Sequence, residues 1–76
     1  MNPVEHVKSF LESKVYEQLV EEAEYNECAV ELMSMIDLSM ESIIFFQSIN
    51  EQTRVKRELK QLTKTLNYIK EIYEEQ

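Results

Sequence analysis

Glycine is absent from this chain of 76 residues, and Pro3 is its only proline. Glycine supplies the positive-φ positions of tight hairpin turns and of phosphate-cradling loops. A chain without it is a poor candidate for a β-sheet or a nucleotide loop. Helix is what remains, with turns built on Asn and Ser. The apolar share of 43% is too high for disorder when 30% of the residues are charged. The length allows a single domain spanning residues 1–76. A domain of this size buries about 60% of its unfolded surface and is marginal by itself. Support for such small folds comes from disulfides, metals or association. Cys28 is the only cysteine, so an intrachain disulfide is excluded, and a lone thiol fits a reducing, cytoplasmic setting. The sequence clusters no Cys and His ligands, and no cofactor is expected. Association is the remaining support.

Asn2-Pro3-Val4-Glu5 reads as a helix start. Asn2 is a good N-cap, Pro3 suits the first helical position, and Glu5 stands where a capping-box carboxylate belongs. Val4, Val7, Leu11, Val15, Leu19 and Ala23 then recur on one face, widened by Phe10, Tyr16 and Val20. This spacing predicts a helix over about 3–24. Tyr25-Asn26 is the expected break, because Asn tolerates left-handed backbone and caps helices. Without a break there, 3–47 is one long bent helix.

A second helix is predicted over 27–47. Its polar residues Glu27, Glu31, Ser34, Asp37, Glu41 and Ser48 fall mostly in one narrow stripe, and most of the rest is apolar. A helix apolar over most of its circumference needs more than one neighbour. Two other helices of a short chain can hardly cover it, so the surplus points to a partner. The acids interrupt the run from Cys28 to Phe46, which excludes a membrane span. Nor do the first residues show a basic region followed by an apolar run. Ser48 and Glu51 match a capping box, while Asn50 is suited to ending the preceding helix. Either way a turn falls at 48–52. The third helix, about 51–74, carries Val55, Leu59, Leu62, Leu66, Ile69 and Tyr73 at intervals of 4, 3, 4, 3 and 4, a heptad seam. The predicted fold is all-α: an antiparallel three-helix bundle or a long helical hairpin, completed by self-association.

The net charge of −7 is unevenly spread. Residues 1–50 hold ten acids against Lys8 and Lys14. Such a surface repels phosphate, which argues against direct binding of nucleic acid. Arg54, Lys56, Arg57, Lys60 and Lys64 cluster early in the third helix, and pairing with acids of the first two helices is expected. Cys28 has Glu24, Glu27 and Glu31 as neighbours and no base, so it reads as a packing residue. His6 is the only histidine and lies far from Ser34, Ser39, Ser42 and Ser48. Catalysis is therefore not expected. The function predicted is a non-catalytic protein–protein interaction module, an adaptor, co-chaperone or inhibitor. Its interface is placed at Met33, Ile36, Met40, Ile44, Phe45, Leu59, Leu62, Leu66, Ile69 and Tyr73. The expected partner is another protein, first of all a second copy. The alternative is an acidic mimic of nucleic acid, built on the ladder Glu17, Glu21, Glu22, Glu24, Glu27 and Glu31.

Overall fold

The computed structural model describes residues 2–74. They form four α-helices: α1 (Pro3–Leu11), α2 (Lys14–Glu22), α3 (Glu27–Ser48) and α4 (Gln52–Glu74). Among the described residues there is no strand. α3 and α4 pair as the long hairpin of an all-α bundle, α1 packs on α4, and α2 packs on α3 and α1. The result is a slab with principal extents of 39 × 25 × 16 Å.

The helix expected over 3–24 is two helices, because Ser13 interrupts it. Ser13 is extended (φ −85°, ψ 162°) and caps α2, its Oγ accepting from Tyr16 N at 3.3 Å. The same hydroxyl donates to the Phe10 carbonyl at 2.6 Å, and the Ser13 N–H donates there at 3.0 Å. One serine thus ends α1 and starts α2. A Ser side chain that bonds nearby backbone groups competes with the helical ladder. The tertiary gain is that each short helix meets a different neighbour. Phe10 and Tyr16 stay in contact across the bend, ring centroids 5.9 Å apart.

The other ends follow local chemistry. Asn2 accepts from Glu5 N at 2.9 Å, with Pro3 in the first helical position. Asn26 separates α2 from α3, its Oδ1 accepting from Cys28 N at 2.9 Å. Asn50, not a Ser48 capping box, makes the α3–α4 turn. It stands at φ 60°. Its N–H bonds the Gln47 carbonyl at 3.1 Å and the Glu51 N–H bonds Phe46 at 2.9 Å, a Schellman closure without glycine. Ser48 donates back to the Phe45 carbonyl at 2.6 Å.

The core is Phe10, Leu19, Ala29, Ile36, Leu62, Leu66 and Ile69. The predicted α4 seam faces it: Val55, Leu62, Leu66 and Ile69 are buried, and Leu59 and Tyr73 are half-buried. Thr65, buried beside them, donates from Oγ1 to the Gln61 carbonyl at 3.2 Å.

Candidate protein-docking surface

α3 has a period that brings Ala29 and Ile36 into the core, with Leu32, Met33, Met40 and Ile43 half-buried around them. α2 and α4 occupy that side. The rest of the circumference carries the acids of α3 but also large apolar side chains that face outward. Leu38 and Ile44 are each 64% exposed, Phe45 57%, Ile49 51% and Met35 47%. Single exposed apolar side chains are ordinary on soluble proteins, but a contiguous set on one helix is not.

These side chains make two surfaces. The first is a groove between α1, α3 and α4, about 310 Å³, with Val4, Val7 and Leu11 on one wall. Met40, Ile43 and Ile44 form the second wall, and Leu59 and Leu62 line it from α4. The second surface is a ridge along the outer side of α3, Met35, Leu38, Phe45 and Ile49. Neighbours Ile44 and Phe45 point to different surfaces because consecutive helical residues turn by about 100°. Phe45 and Phe46 likewise divide: Phe45 is exposed, whereas Phe46 is half-buried with its ring 5.5 Å from that of Phe45. Arg54 covers Phe46, its guanidinium 5.3 Å from the ring centroid.

The ten residues placed at an interface from the sequence therefore separate. Ile36, Leu62, Leu66 and Ile69 are core residues of the single chain, with no more than 1% exposure. They are not docking residues in this fold, although Leu62 touches the groove floor. Met33 and Tyr73 are half-buried against that core. Met40, Ile44 and Leu59 line the groove, and Phe45 stands on the ridge. Sequence reasoning missed Met35, Leu38 and Ile49. Their signal was present: Met35, Leu38, Ser42, Phe45 and Ile49 step by 3, 4, 3 and 4.

Two further placements differ from expectation. The basic cluster of α4 does not pair across the bundle. Among the described residues the only ion pair within 4 Å is Lys70–Glu74, at 3.9 Å. α4 presents Arg54, Lys56, Arg57, Lys60 and Lys64 to solvent, while α2 carries the acids. Glu17, Glu21 and Glu22 border a shallow polar depression with Lys14 and Tyr25. Cys28 is exposed and is not a packing residue, because it lies one residue off the buried Ala29. His6 is half-buried, its Nε2 3.1 Å from Asn67 Oδ1, which ties α1 to α4. The Tyr73 hydroxyl is pushed up to about 12 by desolvation first, then by the Glu22 carboxylate and Tyr25.

No described helix is long and apolar enough to cross a membrane. Comparison with protein-family models, with curated proteins and with solved structures gave no match.

Proposed function

We propose that this chain is a small non-catalytic protein-binding module of the cytoplasm, acting through the outward apolar side of α3. The observation that carries the reading is the pair Ile44 and Phe45, each more than half exposed on a helix whose other side already fills the core. Burying a side chain of this size against a partner contributes about 1.5–3 kcal/mol. The half-exposed Met35 and Met40 suit such a role, because a methionine side chain adapts to an irregular counter-surface. An adaptor, co-chaperone or inhibitor would use it alike.

The test is Phe45→Asp. The side chain is outside the core, so helicity by circular dichroism should match the parent. The mass by light scattering, or capture of a bound partner, should show association lost. An Asp variant that associates as the parent does removes Phe45 from the interface and sinks the reading.

A second reading has its own observation. Glu17, Glu21, Glu24, Glu27 and Glu31 have no ion-pair partner within 4 Å among the described residues, and acids free of pairing suit a nucleic-acid mimic that blocks a basic protein. The same variant separates the two. A mimic keeps its target when Phe45 becomes Asp, since added negative charge does not weaken binding to a basic surface.

A further inference from the structure

α3 carries a second heptad seam whose four apolar members, Met35, Leu38, Phe45 and Ile49, stand exposed around a half-buried Ser42. We propose that a second copy of this chain docks there, α3 antiparallel to α3, about a two-fold axis at Ser42. This rests on the reading of the outer side of α3 as a binding surface, and it names the occupant and its orientation.

Spacing supplies the first argument. Met35, Leu38, Ser42, Phe45 and Ile49 recur with the 3,4 period of a helix that packs along another. The seam is symmetric about its middle to within one residue. Reversal about Ser42 sets Met35 opposite Ile49 of the second copy, and brings Leu38 within one residue of its Phe45. Ser42 meets Ser42, where a small side chain lets the axes approach. Moving the axis one turn toward the N-terminus, to Leu38, sets Glu31 against Phe45 instead. A two-fold interface must be self-complementary, and the register about Ser42 pairs Met35 with Ile49 and leaves Leu38 and Phe45 within one residue of facing each other.

Area supplies the second. A compact chain of this mass, 9.1 kDa, exposes about 4,900 Å². This one exposes 5702 Å². The surplus of about 800 Å² equals one partner's share of a standard interface.

Charge selects the orientation. Glu24, Glu27 and Glu31 lie at the start of α3, and Arg54, Lys56 and Arg57 lie beyond its far end, where α4 begins. An antiparallel pair brings unlike ends together, whereas a parallel pair sets Glu27 and Glu31 against their own copies. Glu41 is the opposing feature. It flanks the axis in both copies, but it is exposed at the rim, where salt screens it.

Cross-linking of the full chain tests the geometry. A disulfide needs Cα atoms about 4.4–6.8 Å apart, which a residue bridged to its own copy satisfies only beside the axis. In a Cys28→Ser background, Ser42→Cys should give a covalent dimer under mild oxidation, with unchanged helicity. The unmodified chain, with Cys28 alone, should not, and neither should Met35→Cys in that background. Met35→Cys with Ile49→Cys should cross-link again, so the result does not depend on tolerance of one substitution. Ready cross-linking through Cys28 or Met35→Cys means a parallel pair and overturns the proposal. A dimer by light scattering that resists cross-linking at 42 and at 35 with 49 overturns the seam but leaves self-association standing. A monomer at every concentration overturns both, and leaves the binding-module reading to be judged by capture of a different protein.

Discussion

Leu62 shows how much one residue decides. It is fully buried where α1, α3 and α4 meet, and it also floors the apolar groove. Leu62→Ala removes the packing of three helices at once and should cost about 2–5 kcal/mol. Leu38→Ala is the counterpart, because that side chain is exposed and its loss should change monomer stability by less than about 0.5 kcal/mol. Urea unfolding of dilute protein measures both, and a Leu62 variant as stable as the parent would mean that the α4 seam is not the core. Tyr73 makes a pH prediction. Its folded value of about 12 lies above the unfolded value of 10.0. Folding therefore holds this proton, so the contribution is whole below pH 10 and is lost as pH rises toward 12. Tyr73→Phe should flatten the fall in stability across that window relative to the exposed Tyr68→Phe, as read by denaturation at stepped pH. Equal slopes for the two variants would show that Glu22 and desolvation do not act on Tyr73.

Among the elements, the division of the first helix into α1 and α2 depends on one hydroxyl. Ser13 satisfies backbone groups on both sides of the bend. Ser13→Ala removes an N-cap worth about 1 kcal/mol, and the loss should appear as a lower denaturation midpoint. Ser9→Ala, in the exposed middle of α1, should be neutral or slightly stabilising, since Ala is the better helix former. A Ser13 variant that matched or exceeded the parent would show that a continuous helix serves the fold as well. α3 is the element with two duties. Its inward side is committed to α2 and α4. Its outward seam repeats in steps of 3 and 4 with its apolar members exposed, so a single helix is written as though it belonged to a larger bundle.

At the scale of the whole molecule, the slab is too thin to hide everything that is apolar. With a smallest principal extent of 16 Å, the fold leaves one side of α3 exposed. The proposed self-association would cover that side and couple stability to concentration. The melting temperature of the parent chain should rise with protein concentration, while that of Phe45→Asp should not. A melting point independent of concentration in the parent would mean that the fold stands as a monomer and that the seam is vacant or serves a different protein.

Local chemistry in the sequence determined that this protein is all-α, because no glycine is present and Asn2, Asn26 and Asn50 are the residues able to begin or end helices. It also determined which side of α4 is apolar, since a heptad seam has one such side, but it set that side against another chain, whereas the fold buries Leu62, Leu66 and Ile69 in its own core. The bend at Ser13 was not legible, because serine is tolerated inside helices and only the competing demands of α4 on α1 and of α3 on α2 make it a break. Nor was the exposed apolar side of α3. Along α3 the apolar residues surround the axis, so periodicity cannot say which of them a neighbour will cover. Ile36 and Phe45 look alike as letters. Tertiary packing put one in the core and the other in water, because α2 and α4 reach only one side of the helix.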